Sequence, residues 1–249
     1  MREEIKIKIW IRNAAICFLF ILMIAMIGLF ILKYNVEGEQ NMPFKLSSMI
    51  VISSAEGYQV EQNKDYRWDA EIYQTNDIYL NIEKNKNYQE EEVIKKIIIS
   101  HIQIHQPLIG TVEIYRPSAN TVQAYHYEKE YQITDELELL GEKQTDIQNL
   151  KFSNQGGTIL FRVLNKTGQR VLSNEESFEH NGKLLGKAGI SYEDIQVQIS
   201  FDLSILLESG KAYKGNIKLN LPIEDIRQTG SANLEIKNTK DIVFKREQI

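Results

Sequence analysis

Two histidines four residues apart, His101 and His105, are the first residues whose type and spacing could do chemistry. On a helix that interval puts both imidazoles on one face, as in HExxH zinc sites, where a Glu beside the first His serves as base. Here the string is His-Ile-Gln-Ile-His, which lacks that Glu and alternates like a strand. On a strand the two rings share a face roughly 13 Å apart at about 3.3 Å per residue, too far for one metal ion. Two solvated histidines opposite Ile102 and Ile104 are the expectation, so no metal or other cofactor is assigned.

The second candidate is aromatic. Tyr125, Tyr127 and Tyr131 fall on one face of a predicted strand over 121–131, with His126 on the other. Exposed, the stripe could stack on sugar rings or anchor a partner, because Tyr offers rigid area with a polar tip. Buried, it is core or rim packing, a common place for Tyr on half-buried strands. The three tyrosines are the candidate binding residues. The acidic groups Asp65/Asp69, Asp135/Glu136/Glu138 and Glu175/Glu176 could hold calcium or form a carboxylate pair for glycoside hydrolysis. No Asp-x-Asp-x-Asp-Gly loop or Gly-x-Ser-x-Gly elbow supports such chemistry, so they read as solvated surface and no catalytic residue is assigned. Asn154–Gly157 is too short for a phosphate loop and reads as a turn. Asn165–Lys166–Thr167 matches a glycosylation sequon, a short pattern that carries little weight on its own.

The elements that must position these residues are strands. Period-two apolarity marks 45–53, 67–73, 78–83, 96–105, 111–116, 121–131, 149–153, 158–165, 195–208, 215–222, 233–238 and 241–246. It is cleanest in Ile195–Phe201 and Ile217–Leu221. Asn- and Gly-rich breaks at 85–87, 116–120, 154–157, 165–168, 181–182, 209–210 and 229–230 read as turns, because those residues tolerate positive φ. Glu90–Glu92 reads as a polar turn before a strand, and Asp135–Gly141 as a short helical turn or irregular connection. About twelve short strands with little helix predict an antiparallel β-sandwich, jelly-roll-like or Ig-like, over residues 43–249. The acidic stretch 132–148 offers a boundary between two subdomains, against one continuous sandwich.

Ahead of these strands, Asn13 to Leu32 is a twenty-residue run without a charge. At about 1.5 Å per residue it spans about 30 Å as a helix, the hydrocarbon thickness of a bilayer. Arg2, Lys6, Lys8 and Arg12 precede it, and this basic bias predicts a cytoplasmic tail (1–12), a transmembrane helix (13–33), a spacer (34–42) and an extracytoplasmic β domain. Trp10, Arg12, Lys33 and Tyr34 flank the span as expected interface anchors in the lipid bilayer. No small-x-small cleavage site follows, so an uncleaved signal anchor in the cell membrane is expected.

The first twelve residues carry +2 and Lys33 adds one, so with the whole chain at −5 the remaining residues hold −8. An acidic β domain without Lys/Arg clusters is not a nucleic-acid binder. The lone cysteine, Cys17, lies in the apolar run, which leaves the β domain without disulfides or thiol chemistry. Four stretches carry a resemblance: MREEIKIKIWIRN at the start, MPFKLS at 42–47, SNQGGT at 153–158 and AYKGNIKLNLPI at 212–223. In them the chain resembles a family of single-pass membrane proteins from Gram-positive bacteria to which no activity is attached. The resemblance implies topology and length, and transfers no functional residue. The expected function is non-enzymatic binding or scaffolding at the cell envelope, with a wall glycan, another envelope protein or a second copy of the chain as partner. The competing expectations are an envelope hydrolase acting on glycan or peptide, and a non-catalytic subunit of a membrane complex.

Overall fold

The computed structural model describes residues 2–36, 42–60, 65–118, 125–141, 145–147, 150–178 and 183–247. Arg2–Val36 is one helix, α1, and its segment Trp10–Phe30 is long and apolar enough to cross a membrane, with none of it buried. Trp10 and Arg12 lie exposed on this helix. Lys33 and Tyr34 belong to its last turns, and their side chains fall outside the described residues, as do residues 37–41 of the spacer.

Along the rest of the chain run β1 (Phe44–Gln59), β2 (Trp68–Lys84), β3 (Ile94–His105), β4 (Thr111–Tyr115), β5 (Leu137–Leu140), β6 (Thr145–Ile147) and β7 (Leu150–Ser153). Then follow β8 (Gly156–Ser173), α2 (Lys183–Lys187), β9 (Gln198–Leu207), β10 (Ala212–Asn220), α3 (Ile226–Thr229), β11 (Ser231–Ile236) and β12 (Lys245–Glu247). They build two antiparallel sheets. The first has the order β11-β1-β2-β8-β7-β6, with β4 also on β8, and the second has the order β12-β10-β9-β3-β5. Each sheet takes strands from both sides of residues 132–148.

The sheets pack face to face because each presents an alternating apolar face. Met49, Val51, Ile78, Leu80, Phe161 and Val163 of the first meet Ile97, Ile99, Ile199, Phe201, Leu203 and Ile217 of the second. Phe161 and Phe201 meet edge to face at 5.4 Å in the centre. β3 keeps Ile94, Ile97, Ile99, Ile102 and Ile104 on the inner side although their spacing is irregular, because two bulges each absorb one residue. His101 sits in the second bulge with φ of 51°, a conformation costly for a residue with a Cβ.

Beyond the sandwich, the inner face of β1, β2 and β8 continues without the second sheet. There Ala55, Ile72 and Val171 are covered by Leu184 and Leu185 of α2, by Ile190 and Ile195, and by Ile226 of α3. Between the two apolar clusters lies a buried polar row: Ser53, Gln74, Asn76, Asn165 and Thr167. Ser53 donates to Asn76 Oδ1, Asn76 Nδ2 to the Val163 carbonyl at 3.1 Å, Asn165 Nδ2 to Gln74 Oε1 at 3.4 Å, and Thr167 Oγ1 to the Ile72 carbonyl at 2.6 Å.

This row joins two strands that the sequence separates and overturns one turn expected from it. Gln74–Asp77 does not separate strands 67–73 and 78–83; both belong to β2. Asn165–Gly168 is not a chain reversal but part of β8, which runs on to Ser173 through an irregularity in its pairing with β2. The sequon asparagine Asn165 is fully buried. Asp135–Gly141 is corrected as well. Residues 137–140 form β5, where Leu137 enters the core and Lys96 pairs with Glu138 at 2.8 Å. Pairing with the open edge of β3 outweighs the local helix preference of Glu and Leu. At the C-terminal end, the strand expected over 241–246 reduces to Lys245–Glu247, because Phe244 instead turns into the core against Gly215.

The hairpin from β7 to β8 turns at Asn154–Gln155 and needs a glycine at 156. Gly156 has φ of 102°, and a Cβ there would stand 2.4 Å from the Ile82 carbonyl oxygen. Gly156→Ala is expected to destabilise the protein by about 1–3 kcal/mol, read as a lower midpoint in urea unfolding.

Candidate functional site

The outer face of the first sheet carries the aromatic site. Residues 125–131 form no strand, contrary to expectation. They leave the edge of β4, where Tyr115 and Gln132 form a single bridge, and cross over the sheet as a strap ending in a 3-10 turn at Lys129–Tyr131. Residues 121–124 of the expected strand lie outside the described residues. The alternation serves another purpose here. It points Tyr125 and Tyr127 toward Tyr115, Leu160 and Leu164, which form an apolar cluster on that face with Tyr73, Tyr79 and Tyr131 beside it.

Arg162 of β8 is the centre of the site. Its Nε donates to Asp77 Oδ1 at 2.6 Å and its Nη2 to Asp77 Oδ2 at 2.9 Å, a two-pronged pair with the neighbouring strand. Nη1 donates to the Tyr127 hydroxyl at 2.7 Å and lies 3.9 Å from Glu56 Oε1. The guanidinium carbon stands 4.2 Å from the centre of the Tyr125 ring, so the cation covers the face of a tyrosine that is only 6% exposed. Burial opposes the Arg162 charge, but Asp77 outweighs it and pushes the pKa up.

Tyr58 of β1 completes one wall. It donates to Glu56 Oε2 at 2.8 Å, its hydroxyl lies 3.1 Å from that of Tyr127, and its ring leans on Tyr73 at 4.7 Å. The Tyr115 hydroxyl donates a short bond to Glu113, which Lys166 also pairs at 2.6 Å. Tyr131 is half-buried, beneath Arg116 at 5.9 Å and beside His126 at 5.5 Å. The buried hydroxyl of Tyr125 has no hydrogen-bond partner among the described residues.

Burial is the main reason these phenols resist ionisation, and the nearby carboxylates add to it: Tyr58, Tyr115 and Tyr125 are all shifted up, and Tyr73 is pushed up to about 12. In the unfolded chain each would ionise near pH 10. The neutral phenols therefore contribute their full stability below about pH 10 and lose it as pH rises toward about 12. The melting temperature is expected to fall steeply over that window, alongside late tyrosinate absorbance.

Glu56, Tyr58, Tyr125, His126, Tyr127, Glu128 and Arg162 line an open cleft of about 570 Å³. It offers aromatic surface, two carboxylates and hydrogen-bonding hydroxyls, a set suited to holding a polar ligand. No family model matches the chain, and no curated protein matches it. Among solved structures, it is similar to one described as "Biofilm associated protein - B domain", at 17% identity and a TM-score of 0.22. That match covers 84% of this chain and 46% of the other, so the chain spans under half of that structure's length. A likeness this weak carries no argument about function.

The other candidates stay apart. His101 and His105 are both exposed on the outer side of the second sheet, with His101 Nδ1 3.2 Å from Asp202. Asp69 pairs with Arg170 at 3.5 Å, Glu138 with Lys96 at 2.8 Å and Glu175 with Lys187 at 3.1 Å. Among the described residues no three His, Cys, Asp or Glu side chains converge as a metal site would require. Of the site residues, Tyr125, Tyr127 and Tyr131 were visible in the sequence, whereas Arg162, Asp77, Glu56 and Tyr58 were not singled out. One signal was available: Arg162 interrupts the apolar run Thr158–Leu164, where a lone charge requires a partner.

Proposed function

We infer that the protein is a membrane-anchored, non-enzymatic binding module of the bacterial cell envelope. In this reading α1 stays in the membrane with its basic end in the cytoplasm, as the Lys/Arg bias favours, and holds the β-sandwich outside. The observation that supports it most is the cleft under the 125–131 strap. Its phenols, Glu56 and the guanidinium are fixed by one another, which suits recognition by a rigid surface. Cell-wall polymer is the partner that best fits an aromatic, polar cleft held close to a membrane.

The test is co-sedimentation of the full chain, in neutral detergent, with isolated cell wall. Saturable pelleting is expected, and Tyr127→Ala should weaken it by about tenfold, as loss of one well-packed aromatic contact does. A chain that stays in the supernatant at all wall concentrations would overturn this function.

A further inference from the structure

The cleft has a sign as well as a shape. Glu56 and Glu128 line the cleft and Asp77 pairs with Arg162, the one Lys or Arg among the described lining residues, so these side chains carry an excess of negative charge. Arg162 has little left for an anion: two of its nitrogens are held by Asp77 and the third by the Tyr127 hydroxyl. The Glu128 carboxylate, by contrast, is exposed and, among the described residues, reached only by His126 at 4.0 Å. Glu56 is half-exposed and held by hydroxyls and a distant guanidinium, so it keeps most of its charge facing the opening. Phenol rings beside carboxylates favour a cation, through their quadrupoles and through direct pairing. Burial shifts the Tyr58 phenol up first, followed by its bond to Tyr127 and the charge of Glu56.

Resting on the wall-binding function above, we propose that the cleft selects a primary ammonium group borne by a wall polymer, held between Glu56 and Glu128 against the Tyr58 and Tyr127 phenols. Two sources share that chemistry: a sugar with a free amine and a peptide with a free lysine-type amine. Neutral N-acetylated versions of either would lose both the ion pairs and the cation–ring attraction.

The full chain in neutral detergent would be titrated with a glucosamine hexamer, its N-acetylated form, a short lysine-containing peptide and that peptide acetylated at the lysine. One free-amine ligand should bind about tenfold tighter than its acetylated form at low salt, an advantage that shrinks as salt rises. Discrimination within the sugar pair places the amine on a glycan, and discrimination within the peptide pair places it on a peptide. The double variant Glu56→Gln/Glu128→Gln should lose the discrimination while keeping its melting temperature. Equal affinity for free and acetylated forms in both pairs, including none, overturns the proposal even where the chain still pellets with wall. Discrimination that survives the double variant overturns it too.

Discussion

Replacing Arg162 by methionine is expected to lower the unfolding free energy by about 3–5 kcal/mol, because Asp77 would keep its charge in a largely buried place without a partner. The guanidinium and the carboxylate are each mostly hidden from water, so screening recovers little of that loss. The same change strips the cation from the Tyr125 ring and the donor from the Tyr127 hydroxyl, and the strap over the sheet would loosen. The double variant Arg162→Met/Asp77→Leu removes both charges and should recover most of the stability. Urea unfolding of the single and double variants checks this. If Arg162→Met cost less than about 1 kcal/mol, the ion pair would behave as a surface pair and lose its organising role.

The second large effect is expected at Phe201. It is fully buried at the centre of the sandwich, edge-on to Phe161, with strands close on either side that leave no room for collapse. Phe201→Ala should cost about 3–5 kcal/mol from lost burial plus the cavity left behind. Combining it with Phe161→Ala should cost less than the two single losses together, since their ring–ring contact, about 0.5–1.5 kcal/mol, is lost only once. Strictly additive losses in calorimetry would show that the two rings do not interact.

Legibility along the chain followed the polar residues. Gln198–Leu207 and Ala212–Asn220 alternate cleanly and are strands largely as read, because each has one face on the core and one toward water. The misreadings at Gln74–Asp77 and Asn165–Gly168 share one cause. Polar residues normally mark a turn, but here they satisfy one another inside the sheet, and a pattern rule has no term for pairing across strands. The strap at 125–131 was misread for a related reason: alternation tells which side chains share a side, but not whether the backbone joins a sheet. Tyr125 and Tyr127 could therefore be named from the sequence. Their partners on β1, β2 and β8 depend on topology, which brings Glu56, Asp77 and Arg162 together from positions far apart in the chain.

The buried polar row has a consequence for how the protein comes apart. The first sheet runs unbroken through it, but the apolar interior does not, so α2, α3 and the turn at 193–195 rest on a core of their own. Water reaching Ser53, Asn76 and Asn165 would find groups that can bond to it, and the cost of opening that end stays local. Amides of α2 and α3 should exchange with solvent orders of magnitude faster than those of β9, without global unfolding. The breathing end also lies far from where the first sheet begins: β1 enters the sandwich at Phe44, and its sixteen residues carry the chain about 50 Å toward the capped end. The molecule is stiffest where β1 enters the sandwich and most yielding where α2 and α3 cap the first sheet.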